Sequence, residues 1–301
     1  MTGPEAAEGP IRVTEGAGGW TYVWDHPRKP HLHPVATPSG LVLTQVEPED
    51  HPWQRGLWFA VKFVDGDNFW EEVGPGGWGV QRHDGPPSVD SSGGVTTVEG
   101  DLSWLRPDGT TVAVREHRRL RHVPLGDSAY AIDWDVTLAN PGPEPSVLDR
   151  SPYNGLWGGY SGLAFRGRSD WTDTRLLLDD GTEHERVAPH RSRWLDLSGP
   201  TVPTGPDGPD ARAGGNGAGG VCVLDHPANA SFPVPFYATC RAGLGYGEGW
   251  SNTVYPSFLW DGPATLDPGG PLRFRYRAVV HDGVWGADRA DAAWADFAGA
   301  D

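Results

Sequence analysis

The chain is predicted to be all-β: one large antiparallel β-sandwich domain, with a short helix at the C-terminal end. Strand-like runs recur between turn signals along its whole length. Helical periodicity is nearly absent before residue 288. The 43 Gly and 29 Pro among 301 residues supply the turns that many short strands require. Strands that do not alternate with helices exclude a parallel α/β sheet.

In chain order, residues 1–12 read as a flexible N-terminus and 13–301 as the domain. The strand-like runs are 20–24, 41–46, 57–64, 95–98, 103–105, 112–120, 130–138, 175–178, 221–224, 236–240 and 272–280. Within 131–138 every second residue is apolar, the mark of a strand with one wet face. Along 272–279 Arg273, Arg275 and Arg277 alternate with apolar residues in the same way. Pro107-Asp108-Gly109 between two such runs reads as a hairpin turn. The stretch 198–220 holds Gly, Pro and Asp without apolar anchors and reads as a surface loop. The Ala-rich 288–297, with Trp294 and Phe297 three apart, reads as a helix. No repeat of 20–50 residues recurs, which favours a sandwich over a propeller.

Composition narrows the function. The net charge of −16 argues against DNA or RNA as a general partner, because a polyanion needs a basic face. Hydrophobic residues at 37% suffice for a real core, and no apolar run approaches the roughly 18 residues of a membrane span. The opening MTGPEAAEGPIRV has neither a basic start nor an apolar stretch, so no secretory signal is read there. Two cysteines, Cys222 and Cys240, are too few for a disulfide scaffold and fit a reducing cytoplasm. Lysine occurs only at Lys29 and Lys62, which reads as genome bias. The 15 Trp fill cores, but indoles also supply flat faces for sugar rings.

Three segments could carry chemistry. In 50–59, Asp50-His51-Pro52-Trp53-Gln54-Arg55 leads into an apolar strand with Trp58, and 67–72 follows after a turn, ending in Glu71 and Glu72. His51, Arg55 and Glu72 converging on one pocket would combine an imidazole, a permanent cation and a carboxylate base. The alternative is a structural Arg55–Glu72 ion pair, with Trp58 and Trp70 in the core. The second segment, 149–162, joins Asp149 and Arg150 to Tyr153, Trp157 and Tyr160 among glycines. It reads either as a stacking wall or as a turn-rich corner, and it lacks the complete G-x-S-x-G of a hydrolase elbow. In the third, His226 follows a strand, with Trp250 in a downstream Gly-rich stretch that no helix follows, so it is not a nucleotide loop. His31 and His33 fall on one side of a strand, as in metal-binding jelly rolls. His51, His83 and His226 could supplement them, but no spacing is diagnostic. No metal or other cofactor is assigned, and a divalent ion stays open as an alternative.

The run DHPWQRGLWFAVKFVDGDNFWEE at 50–72 resembles the hallmark of the bacterial DUF6807 family, also called PmoA-like, whose members read DHPHHRGLWFAHGDVNGVDFW-E. VLDHPAN at 223–229 is similar to that family's IFDHPSN, and LDPGGPLRFRYRAVVHDG at 266–283 to its closing L-PAG--LRLRYRVVVHDG. The chain departs at His-Pro-His-His-Arg, where Trp53 and Gln54 replace two histidines, while His51, Arg55 and Glu72 are kept. The inherited methane oxygenase label conflicts with a chain that has no membrane span. The resemblance implies a role in handling sugars, and by analogy a galactose-mutarotase type of supersandwich.

The expectation is an intracellular, carbohydrate-active enzyme using general acid/base chemistry on a sugar or keto-glycoside, by epimerisation, elimination or glycoside hydrolysis. His51, Arg55, Glu72 and His226 would be catalytic. Trp53, Trp58, Asp149, Arg150, Tyr153, Tyr160 and Trp250 would bind substrate. A non-catalytic sugar-binding protein and a metal-dependent enzyme are the rivals, and homo-oligomerisation is left open.

Overall fold

The computed structural model describes residues 5–6, 9–74, 76–155, 157–200, 217–241 and 251–300. Two large antiparallel sheets share one apolar core. The core of the first, an eleven-stranded sheet, runs Val95–Leu105, Val112–Pro124, Ala129–Ala139, Leu272–Asp282, Gly219–Asp225, Trp194–Gly199 and Arg175–Leu178 in spatial order. The second, of eight strands, runs Arg186–Arg191, Pro235–Thr239, Thr253–Pro256, Ser161–Arg166, Leu57–Val61, His31–Ala36, Gly18–Val23 and Ile11–Glu15. A small four-stranded sheet, containing Ser146–Asp149 and Phe63–Val64, lies beside them.

Side-chain alternation makes the layers. In Leu57–Val61, Leu57, Phe59 and Val61 enter the core between the sheets, whereas Trp58 and Ala60 face outward. In Gly219–Asp225, Val221 and Val223 face the same core, and Cys222 and Leu224 face the opposite exterior. There the helix Ala287–Ala298 covers them, burying Ala290 and Phe297. The sandwich therefore has two outer faces, one under a helix and one under loops.

The all-β class, the 107–109 hairpin and the C-terminal helix are as the sequence indicates. Four readings change. The 41–46 run makes isolated bridges to Ala36, Gly167 and Arg55 instead of a strand. Its amides are divided between two partners, Leu43 N–H donating to the Val35 carbonyl and Gln45 N–H to that of Arg166. The runs 95–98 and 103–105 are one strand, continuous through Gly100, where a Cβ would sit 3.0 Å from the His83 ring. Ser198 pairs with Gly220 and Gly199 with Gly219, so strand extends into both ends of the 198–220 stretch, whose 201–216 lies outside the described residues. Ile11–Glu15 pairs with Gly18–Val23, so the N-terminal strand starts before residue 13. Strands such as Ser161–Arg166 and Thr253–Pro256 escaped notice because they neither alternate nor form an unbroken apolar run, being interrupted by Ser161, Gly162 and Arg166 and by Thr253 and Pro256.

Candidate functional site

The loop-covered face carries an aromatic floor. Trp58 from Leu57–Val61, Tyr237 from Pro235–Thr239 and Tyr255 from Thr253–Pro256 all turn outward, and Tyr237 and Tyr255 stack at 6.0 Å and 4°. Tyr160 stands over them between two indoles, stacked on Trp70 at 5.2 Å and parallel to Trp157 at 6.1 Å. Trp53, Trp70, Trp157 and Tyr160 wall a hollow of about 140 Å³ that opens to solvent, and His51, Gln54 and Glu71 supply its polar lining. That is smaller than the roughly 300–1,000 Å³ usual for sites that enclose a drug-sized ligand.

Two short turns place the polar groups. In 48–54, His51 N–H donates to the Pro48 carbonyl and Gln54 N–H to that of His51. The chain then swings into Leu57–Val61 at Gly56, whose φ of +72° and approach to the Leu32 carbonyl, 2.6 Å from a would-be Cβ, admit only glycine. In 68–72 the Asn68 Oδ1 accepts the Trp70 and Glu71 amides at 2.9 and 3.0 Å, setting an indole and a carboxylate side by side.

A carboxylate and a buried guanidinium back His51. Its Nδ1 lies 2.7 Å from Asp50 Oδ2, and Asp50 is held from behind by Arg166, a fully buried guanidinium at 3.1 Å. Arg166 also donates to Gln54 Oε1 at 2.9 Å, and Gln54 Nε2 donates to the Tyr255 hydroxyl at 3.0 Å. Burial raises the Asp50 pKa, but the His51 hydrogen bond and the Arg166 charge outweigh it and hold the carboxyl below its usual range. An ionised carboxylate only accepts, so Nδ1 carries the proton and the basic lone pair of His51 is on Nε2.

The two lysines flank this centre. Lys62 Nζ bonds Glu71, which Asn68 Nδ2 also reaches at 2.9 Å. Lys29 Nζ donates to the Trp70 carbonyl at 2.6 Å and lies 3.5 Å from Glu72. Burial pushes the Lys29 ammonium down to about 8 despite the Glu72 charge. Adjacent glutamates thus face different ways: Glu71 lines the hollow, and Glu72 sits in a buried cluster with Arg55, Lys29 and, through Arg55, Glu47.

The structure brings together only some of the residues singled out from sequence. His51, Trp53 and Tyr160 line the hollow. Arg55 and Glu72 form an ion pair with each other and are absent from the lining, as the structural alternative had it. Trp58 is fully buried beneath Trp70 and Tyr255, a floor and not a wall. His226 is on the other side of the sandwich: its ring meets Phe297 of the helix at 5.0 Å, and its amide donates to the Arg275 carbonyl. Burial and the Arg275 charge lower its pKa. Asp149 and Arg150 pair with each other at 2.9 Å at the small sheet, outside the lining. Tyr153 lies on the same face, next to Tyr237 and Trp260. Trp250 falls outside the described residues. His31 Nδ1 meets the Lys29 carbonyl and His33 Nδ1 the Thr44 hydroxyl. Among the described residues no three His, Cys, Asp or Glu are grouped to hold a metal ion.

The chain belongs to the DUF6807 family. This family of unknown function matches over residues 13–295, nearly the full length. No curated protein matches the chain. In this DUF6807 member Trp53 and Gln54, the two positions at which the sequence reading departs from the resembled motif, both line the hollow. The residues that sequence reasoning missed are Gln54, Trp70, Glu71, Asp50 and Arg166, while Trp157 stands in the stacking wall that the sequence offered. The first four lie in the segment 50–72, which had been singled out, whereas Arg166, inside a wholly buried strand, had no local signal. No helix among the described residues is long and apolar enough to cross a membrane.

Proposed function

We propose that this DUF6807 member is a carbohydrate-active enzyme that takes a sugar or keto-glycoside ring into the indole-walled hollow and transfers a proton with His51. The observation that carries this reading is an imidazole ordered by a carboxylate that a fully buried guanidinium holds from behind, lining the same hollow as indoles, Gln54 and Glu71. Indole and phenol faces suit the C–H face of a pyranose, and an amide with a carboxylate suits its hydroxyls. Imidazole is the side chain best fitted to shuttle protons near neutral pH, and Asp50 both fixes its tautomer and stabilises the imidazolium formed during transfer. Glu71, which lines the hollow, would accept a hydrogen bond from a substrate hydroxyl, whereas the sequence reading took Glu72 as the carboxylate base. Epimerisation, elimination and glycoside hydrolysis all use such a transfer. The free, buried Cys222 and Cys240 support work in a reducing compartment.

The test is an NMR time course of the purified protein with a panel of glycosides and their 3-keto forms. Product is expected from at least one, with turnover falling about 10²–10⁴-fold in His51→Ala. Turnover unchanged in both His51→Ala and Glu71→Gln would remove these roles. The ion pairing of Glu71 with Lys62 favours a second reading, a sugar-binding protein without turnover. Binding that survives His51→Ala, with no product from the wild type, would select it.

A further inference from the structure

Tyr153 is the one exposed aromatic ring among the described residues, at 37% exposure. It is nevertheless held fast. Its hydroxyl donates to the Gly155 carbonyl at 2.8 Å and accepts from Arg186 Nη2 at 3.2 Å, and its ring lies against Trp260 at 5.1 Å. Burial does not explain the arrangement, because the outer side of the ring stays wet. A ring that is open to solvent and already immobilised is a preorganised stacking surface, whose ordering cost is met before any ligand arrives.

The surface is continuous with the hollow. Tyr153 adjoins Tyr237 at 6.4 Å, and Tyr237 adjoins Tyr160, a wall of the hollow, at 6.3 Å. Tyr153 and Trp157 also belong to one loop. Asn154 closes it, its amide donating to the Trp157 carbonyl at 3.1 Å and its Oδ1 accepting the Trp157 amide at 3.0 Å. Gly159 lets the loop pack down on Trp260, where a Cβ would stand 2.3 Å from the indole. One loop therefore carries both a wall of the hollow and the outer ring.

We infer that Tyr153, backed by Trp260, is a second binding subsite, and that the ligand is a glycoside of at least two sugar rings, one in the hollow and the next on Tyr153. This rests on the sugar-binding reading of the hollow. The test incubates labelled wild type, Tyr153→Ala and Tyr153→Phe with an array of immobilised mono-, di- and trisaccharides. Wild type and Tyr153→Phe should be retained on some multi-ring glycan about tenfold better than on its monosaccharide units, and Tyr153→Ala should lose that margin while keeping monosaccharide binding. Equal retention on mono- and disaccharides, or a loss in Tyr153→Ala that extends to monosaccharides, overturns the second subsite and leaves the hollow standing. No retention on any glycan overturns the sugar reading itself. Saturation-transfer NMR on the wild type with the best-bound disaccharide supplies a measurement independent of the variants. Protons of both rings should receive saturation, and saturation confined to one ring overturns the proposal.

Discussion

The two outer faces of this sandwich use the same residue types to opposite ends. On the helix-covered face, charges come from adjacent strands and meet in register: Asp135 stands between Arg119 and Arg275, and Asp133 between Arg121 and Arg277. Each guanidinium finds a carboxylate one strand away, and the helix adds Asp296 to Arg277. On the loop-covered face the strands present mainly rings, and the charges beside the hollow arrive on turns above them, with Arg166 backing Asp50 from within the sheet. Charges that pair across strands finish one another. Charges delivered by turns over an aromatic floor are left bordering a space, and that difference separates a scaffold from a candidate site.

The largest expected effect breaks the helix-covered face without touching the other. Phe297 is buried against His226 and under the Arg277 guanidinium, 4.8 Å from its ring. Phe297→Ala should cost about 4 kcal/mol in a urea titration, the usual loss for a buried aromatic. Ligand retention measured on the glycan array should remain at the wild-type level. A parallel loss of retention would mean that the two faces are coupled and the contrast fails.

Next is the buried cation of the hollow. Arg166→Ala leaves Asp50 without its guanidinium, and stability should fall by about 3 kcal/mol, the low end for breaking a buried pair because Asp50 is partly open to water. Unlike Phe297→Ala, it should also lower any turnover that depends on His51, since Asp50 loses the guanidinium that holds it in place against the imidazole. Arg166→Lys, keeping the charge but not the two-pronged contact, should recover stability more than turnover.

How much of this contrast could be read from the chain depends on the residue. Leu57–Val61 announces itself as an unbroken apolar run, and Ala129–Ala139 by polar residues at every second position along part of its length. Glu71 and Glu72 are adjacent and chemically identical, and the choice between them is made by the Asn68 turn and by which lysine each meets, neither of which has a period. His51 and His226 both sit in an Asp-His-Pro, the first in the turn before Leu57–Val61 and the second directly after Gly219–Asp225. Which side of the sandwich each meets is decided by strand order across the sheets, a long-range property that local pattern does not encode. Arg166 is a lone cation in a strand of six buried residues, where sequence looks like core.

Opposite pH responses sharpen the comparison. Behind the helix, burial raises the Asp225 carboxyl from 3.8 to about 7, outweighing hydrogen bonds from Asn229 and the Val234 amide. A raised folded-state value means the protonated form is favoured on folding. Its stabilisation is full below pH 3.8 and is lost as pH rises through about 7. Asp50 has the opposite sign, its contribution being present above its unfolded value and lost as acid protonates it. Melting temperature against pH should therefore show wild type losing on the order of 2 kcal/mol between pH 5 and 8 relative to Asp225→Asn. Coincident profiles for the two proteins would show that Asp225 does not titrate in this interval.

The smallest effect tests whether the in-register charges are as inert as the comparison holds. Arg119 reaches Asp135 at 2.9 Å, with the two side chains 43% and 26% exposed, and Asp135 keeps Arg275 at 3.4 Å when Arg119 is gone. Arg119→Ala leaves no buried charge behind, so the cost should be about 0.5 kcal/mol, shrinking further in high salt. The identical truncation at Arg166 strips a fully buried guanidinium from Asp50 and should depend less on salt. If Arg119→Ala proved as costly as Arg166→Ala, cross-strand pairing would be holding this sheet together, and the two faces would differ in cover alone, not in how their charges are used.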